Sequence, residues 1–381
     1  MTIVIGLTGS FASGCTYISK EFIVPKGYNY LSLSSVLIEL FNEDNPEIEN
    51  PKRHELQQFG TNIRKQNGPD FLAKKIVEKI SDHDKWVIDS IKNPHEINFL
   101  RDTYPNFYLF AVFANYGTRW KRAQVPEIYN GDQRSFNQDD ERDKDEELDY
   151  GQKVSDCCSK ADVIICNDKQ LDEGSRDYRK LGKKVENFLN LIEGGHYTPD
   201  DDEPFMVMAY ANSLRSSCLK RKVGAIIIDA NGNICSSGYN EVPTCSSTCD
   251  DDGGCYREKV RQDFHNAVKE IEDDETKQEK IVEKFKSCKI LDYCKALHAE
   301  ESSIVNLAKS GMPTITQAKL YTTTYPCNLC AKKIAQVGIK DIVYLEPYPM
   351  IEAKKILDEN KVKSKPFEGI TPRGYFRFGG E

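Results

Sequence analysis

The sequence predicts a two-domain α/β protein, on three observations. Strands of buried type alternate with helical patterns through the first half, and the first strand runs straight into a glycine-rich turn. A short stretch at 194–204 carries two glycines, two prolines and an acidic cluster, the composition of a linker. Beyond it the apolar periodicity starts afresh with a helix, a hairpin and further strands leading into helices. The expected division is therefore a first domain over 1–193, a linker over 194–204 and a second domain over 205–381.

Residues 2–7 form the opening strand, and Gly9-Ser10-Phe11-Ala12-Ser13-Gly14-Cys15-Thr16 follows at once. Apart from one position this is G-x-x-x-x-G-K-[ST], the loop whose backbone N–H groups cradle phosphates. Gly9, Ser10, Gly14, Cys15 and Thr16 are thus candidates for a nucleotide site, with the Thr16 hydroxyl facing Mg²⁺. Cys15 stands where that pattern has the lysine that reaches the phosphates. Trp86-Val87-Ile88-Asp89, Phe107 to Phe113 and Asp162 to Asn167 are further strands, and the helical patterns between them suit a parallel sheet. The acidic run from Asp139 to Glu147 reads as a lid segment or, more simply, as a solvated helix face.

Residues 1–193 resemble the P-loop nucleoside-monophosphate kinases. The resemblance rests on the loop, on the Val87-Ile88-Asp89 strand end, and on Arg119 and Arg122 where a lid carries basic side chains. It implies a P-loop NTPase-like parallel sheet. Cys15 counts against phosphoryl transfer, which depends on neutralising phosphate charge. Three readings stand: a nucleotide-binding regulatory domain, a kinase that uses another lysine such as Lys20, and a structural relic.

The second half opens with an amphipathic helix from about Phe205 to Ser217. Strands follow at Val223 to Asp229 and Ile234 to Asn240, joined by an Asn231-Gly232 turn. His298 begins a helix to about Ser310, Lys319 to Thr323 is a strand, Cys327 and Cys330 open the next helix, and Asp341 to Leu345 completes the sheet. His298-Ala299-Glu300 and Pro326-Cys327-Asn328-Leu329-Cys330 carry the chemistry. An imidazole and two thiolates make three ligands for Zn²⁺, with the fourth tetrahedral position left for water. Glu300, two residues from the histidine, is placed to move protons. The order H-x-E then P-C-x-x-C is the signature of zinc nucleobase deaminases. A structural knuckle would be closed by four ligands, and a redox pair would not need a distant H-A-E.

From Phe205 onward the chain resembles the deoxycytidylate deaminases, a cytidine-deaminase-like α/β/α fold. The shared features are Arg215-Ser216, Val223-Gly224-Ala225, Gly238-Tyr239-Asn240, His298-Ala299-Glu300 and Pro326 to Cys330. With the degenerate loop in front, the whole is similar to the bacterial anti-phage dCTP deaminases, and more loosely to fungal dCMP deaminases. The tail from Pro366 to Tyr375 also resembles the C-terminus of that longer group. The resemblance implies that water activated at the metal attacks C4 of cytosine while Glu300 relays protons. It further implies that Asn240 binds the deoxyribose and Ala299 gives a backbone contact to the base. Tyr325 either packs on the ring or serves the core. Tyr344 and Tyr348 are candidates for sugar or phosphate contacts, with a core role as the alternative. The insertion between Asn240 and His298 holds Cys245, Cys249, Cys255, Cys288 and Cys294. A second, structural Zn²⁺ on Cys249, Cys255 and Cys294 is one reading and free thiols the other, with His265 either a further ligand or an exposed helix residue. The polar stretch 268–286 reads as an exposed helical excursion.

Composition narrows the partners. A net charge of −8 over 381 residues argues against a stable grip on duplex nucleic acid and favours a small-molecule nucleotide. No apolar run reaches membrane-spanning length. Thirteen cysteines in a chain without an export signal imply reduced thiols and a cytoplasmic setting. The expected function is hydrolysis of dCTP or dCMP to the uracil nucleotide and ammonia, with depletion of dCTP during phage infection as its purpose. A homo-oligomer is expected, and an inhibitory small RNA or protein is a candidate restraint. A housekeeping dCMP deaminase, a polynucleotide editor, and a nucleotide sensor or kinase with a structural zinc are the alternatives.

Overall fold

The computed structural model describes residues 2–48, 51–126, 128–144, 150–169, 174–286, 288, 290–311, 317–346 and 351–378. The chain divides into two compact units, one of residues 1–203 with 368–381 and the other of residues 204–367. No helix among the described residues is long and apolar enough to cross a membrane.

In the first unit β1 (Ile3–Thr8), β2 (Asn29–Ser32), β3 (Lys85–Asp89), β4 (Phe107–Phe113) and β5 (Val163–Cys166) form a parallel sheet in the order β5-β4-β1-β3-β2. A parallel sheet is covered on both faces, so its strands read as near-continuous apolar runs. Ile5, Leu7, Val87, Phe110, Val112, Val163 and Ile165 are buried against Val185, Phe188 and Leu189 of the helix Arg176–Ile192. The central β1 runs into the glycine-rich loop, where Gly14 has φ +103 and ends the turn. This is the parallel sheet that the residue pattern predicts.

The second unit holds β6 (Gly224–Ile228), β7 (Ile234–Tyr239), β8 (Lys319–Thr322), β9 (Asp341–Tyr344) and β10 (Lys363–Pro366) in the order β10-β9-β8-β6-β7. β6 is antiparallel to β7 and β8, while β8, β9 and β10 run parallel. β10 therefore lies beyond the strand expected to complete the sheet. The helix Ala299–Lys309 packs along β7 through hydrogen bonds from Ser236 Oγ to Ser303 O (2.6 Å) and from Asn306 Nδ2 to Ser237 O (3.0 Å). Its first turn comes so near that a Cβ on Gly238 would stand 2.3 Å from Ser303 N and 2.5 Å from Ala299 O. The excursion expected over 268–286 begins earlier, as the helices Tyr256–Ile271 and Glu275–Lys286 with Val268 buried, pinned by Phe264 stacked on Phe285 at 3.9 Å.

Two expected boundaries shift. The tail, assigned to the second domain, joins the first unit: β11 (Gly369–Ile370) pairs antiparallel with Val163 and Ile164 and covers the open edge of β5. Thr371 N donates to Asp162 O (2.9 Å), and Arg377 Nη1 donates to Asp162 Oδ2 (2.7 Å). The expected linker is also more ordered than its composition suggests, because Glu203 is fully buried. Its carboxylate accepts hydrogen bonds from Tyr197 Oη (2.8 Å), Tyr375 Oη (3.0 Å) and the Asp200 and Ile370 N–H groups. The helix expected from Phe205 accordingly starts at Asp202 and ends at Ser213.

Gly238→Ala must push the helix Ala299–Lys309 off β7, because the obstructing atoms are backbone. The variant is expected to lose about 3 kcal/mol of stability in chemical denaturation. Its metal content should fall with it, since His298 caps that helix.

Candidate active site

His298 and Cys327 occupy equivalent places, each the N-cap residue of a helix. His298 caps Ala299–Lys309 and Cys327 caps Asn328–Val337, both with extended backbone. Ser302 N donates to His298 O (2.7 Å) and Ala331 N to Cys327 O (2.8 Å), which fixes both first turns. Ahead of His298, Leu297 pairs with Glu241, and Ser302 Oγ donates to Glu241 Oε1 (2.6 Å), tying the cap to the end of β7. β8 delivers the other segment through Thr323, whose N–H and Oγ1 bond Gly224 of β6.

These anchors bring His298 Nδ1 to 3.3 Å from Cys327 Sγ and 3.4 Å from Cys330 Sγ. All three ligand atoms lie within 4.8 Å of one another. Zinc–sulfur and zinc–nitrogen bonds at a tetrahedral angle imply an S to N edge of about 3.5 Å, so the three residues fit the ion. No fourth His, Cys, Asp or Glu joins the group among the described residues. The hydrogen bond from Cys330 draws the Cys327 thiol down to about 4, and the bond with His298 adds to it. Glu300 is buried, at 4% exposure, and burial pushes its carboxyl up to about 6. The sequence-predicted quartet is thus brought together: three metal-type donors with a carboxylate beside them.

The other predicted residues divide. Asn240 is held by the loop before β6, for Val223 N donates to its Oδ1 (2.8 Å) and its Nδ2 donates to Arg221 O (2.8 Å). Ala299 is fully buried in the helix turn facing Gly238. Tyr325 and Tyr344 belong to the core, their rings 4.7 Å apart and edge to face, with Tyr325 Oη 3.3 Å from Ser364 Oγ. Tyr348 lies outside the described residues. Burial raises the Cys294 thiol, and the nearby thiols Cys218 and Cys249 add to the effect. Cys249, Cys255 and Cys294 form no metal-type donor group among the described residues. Cys255 caps the helix Tyr256–Ile271, and His265 lies on that helix, half-buried.

In the first unit Thr16 Oγ1 donates to Asp89 Oδ2 (2.6 Å), and Tyr30 Oη donates to the same oxygen (3.1 Å). Arg122 and Asn167 hold the carbonyls of Ala12 and Ser13. Ser13 Oγ lies 3.6 Å from Cys15 Sγ. Burial, reinforced by Asp89, pushes the Cys15 thiol far up, so this position offers a neutral group and not a cation. Lys20, the alternative lysine, is exposed, with Nζ 5.3 Å over the Tyr30 ring.

His298→Ala and Cys330→Ser are each expected to lower bound zinc by one equivalent per chain, measured by elemental mass spectrometry. Full zinc retention in both would exclude this triad as a metal site.

The family model for the cytidine and deoxycytidylate deaminase zinc-binding region matches residues 199–346. The chain is 32% identical over 191 residues to the deoxycytidylate deaminase of Schizosaccharomyces pombe, covering 50% of this chain and 48% of that protein. It thus spans about half the length of that relative. It is 35% identical over 147 residues to the deoxycytidylate deaminase of enterobacteria phage T4, covering 37% of this chain and 75% of that protein. A UPF0200 protein of Thermoplasma acidophilum is 29% identical over 193 residues, covering 50% of this chain and all of that protein. The family-model match contains His298, Glu300, Cys327 and Cys330, and identity with the phage protein runs over three quarters of its length: the chain belongs to the deoxycytidylate deaminase family.

Proposed function

We propose that this chain hydrolyses the exocyclic amine of a deoxycytidine nucleotide, giving the uracil nucleotide and ammonia. The observation that carries the reading is Glu300, a buried carboxylate beside a three-ligand metal-type site. His298, Cys327 and Cys330 would hold Zn²⁺, which would supply the Lewis acidity that makes water a nucleophile at neutral pH. Glu300 takes the proton that water loses and passes it to ring N3, then moves the remaining proton of the new C4 hydroxyl to the amine. A C4–O bond forms, the C4–N bond breaks and ammonia leaves, so one water is consumed per turnover. A carboxyl near 6 suits that work, since an acid–base group serves best near the working pH. The Ala299 N–H is one of the first-turn donors without an intrahelical partner, which supports its contact to the base. Asn240 keeps one further N–H and one lone pair for the deoxyribose after bonding Arg221 and Val223.

The names of the two deoxycytidylate deaminase relatives support a monophosphate substrate. The nucleotide-type first unit, fused to the deaminase unit, favours a second reading: deamination of dCTP that depletes the pool during phage infection. A second, structural zinc on Cys249, Cys255 and Cys294 lacks such support, since the one metal-type donor group among the described residues is that of His298, Cys327 and Cys330. Inhibition by an RNA or protein has no structural support.

An ammonia-release assay across dCMP, dCDP, dCTP, CTP and cytidine is the direct test. Activity is expected with at least one deoxycytidine nucleotide, and Glu300→Gln should lower it by on the order of 10³-fold while zinc is retained. Release of no ammonia from any of the five by zinc-replete protein would refute the reading. In infected cells the antiviral reading expects dCTP to fall with the active protein and to hold steady with Glu300→Gln; a fall in both would exclude it.

A further inference from the structure

The first unit holds a buried charge cluster that the deaminase chemistry does not use. Asp143, in the helix Gln133–Lys144, is 1% exposed. Its Oδ2 accepts from Lys92 Nζ (2.9 Å) and from Arg53 Nη2, and its Oδ1 accepts from Gln57 Nε2 (2.6 Å). Three residues earlier on the same helix, Asp140 takes both arms of Arg119, with Nη2 2.9 Å from Oδ2. Residues three apart share one helix face, so this helix turns two carboxylates together toward cations from three other segments. Burial opposes ionisation of Asp143, but Lys92 and Arg53 outweigh it and hold the carboxyl below its usual range.

The same cations border the glycine-rich loop. Arg119 Nη1 donates to Phe11 O (3.3 Å), and the Arg53 guanidinium lies 3.8 Å from the Phe11 ring centre. Lys92 is close enough to Cys15 to act on its thiol. The positive charge that Cys15 does not supply is thus present nearby, on side chains outside the loop. The carboxylates satisfy these cations incompletely. Arg53 Nε is 3.7 Å from Asp139, beyond hydrogen-bond reach, and buried Arg119 Nε has no acceptor among the described residues. A phosphate group brings three terminal oxygens and more charge than one carboxylate, and arginine forks match it.

We propose that Arg53, Lys92 and Arg119 form a binding site for a phosphate-bearing ligand, and that Asp140 and Asp143 occupy it until such a ligand displaces the helix Gln133–Lys144. The site binds and does not transfer phosphate. It does not depend on the deaminase reading of the second unit.

The test uses the full chain and titrates inorganic pyrophosphate and, separately, ATP by calorimetry. Asp143→Asn and Asp140→Asn are each expected to tighten binding at least ten-fold, and adding Lys92→Met to either should remove the gain. In the unsubstituted chain, pyrophosphate or ATP should speed tryptic cleavage after Arg134 and Arg142 as the helix leaves. If Asp143→Asn does not fold, the less buried Asp140→Asn and the cleavage assay carry the test. Tighter binding of ATP than pyrophosphate assigns a nucleotide source, and equal binding assigns phosphate alone. Unchanged affinity in the aspartate variants, or a gain that survives Lys92→Met, overturns the proposal.

Discussion

The structure of the second unit turns on a single requirement: three metal-type donors from two distant segments must converge without a fourth. The chain meets it with two helix starts. A residue at an N-cap has extended backbone and lies beside unpaired N–H groups, so His298 and Cys327 stand where the positive ends of two helices meet. That field favours thiolate, and the hydrogen bonds from Cys330 and His298 hold the Cys327 thiol far below an ordinary one. The packing behind the donors serves the same end. Gly238 lets the histidine helix lie on β7, and the Thr323 contacts to Gly224 fix the cysteine segment against β6.

Much of this was legible in the sequence because it is local. His298, Glu300, Cys327 and Cys330 declare themselves through fixed spacing, and spacing sets which side of a helix start each donor occupies. The strands of the first sheet were equally plain, since burial on both faces leaves runs such as Phe107–Phe113 without polar interruption. Gly238 was visible as part of a motif, though its reason, the backbone of a helix more than sixty residues away, was not.

What stayed hidden depends on pairing between distant residues. Gly369–Ile370 is a strand of two residues, too short for alternation to mark, and its partner lies about two hundred residues earlier. Glu203 looked like one acid among several in a linker, yet two tyrosines and two backbone N–H groups make it a buried anchor. The acidic run from Asp139 fits a solvated face by composition, and only the fold reveals that Asp143 meets Lys92, Arg53 and Gln57. Cys218 belonged to no spacing pattern. Its neighbourhood with Cys294 arises from tertiary folding.

Two buried carboxylates show how surroundings divide the roles of one functional group. Asp143 sits among cations that hold it ionised, and giving up its charge would cost half-buried Lys92 its carboxylate partner and leave Arg53 only the longer contact to Asp139. Such a group stabilises an arrangement and resists proton exchange. Glu300 has no lysine or arginine partner among the described residues, and burial leaves its two protonation states close in free energy near neutral pH. It can gain and lose a proton at little cost, the property that a proton relay needs and an anchor must lack. The difference lies in the neighbours and not in the carboxyl itself, which is why the motif around Glu300 is informative while an aspartate in an acidic helix discloses nothing until its partners are known.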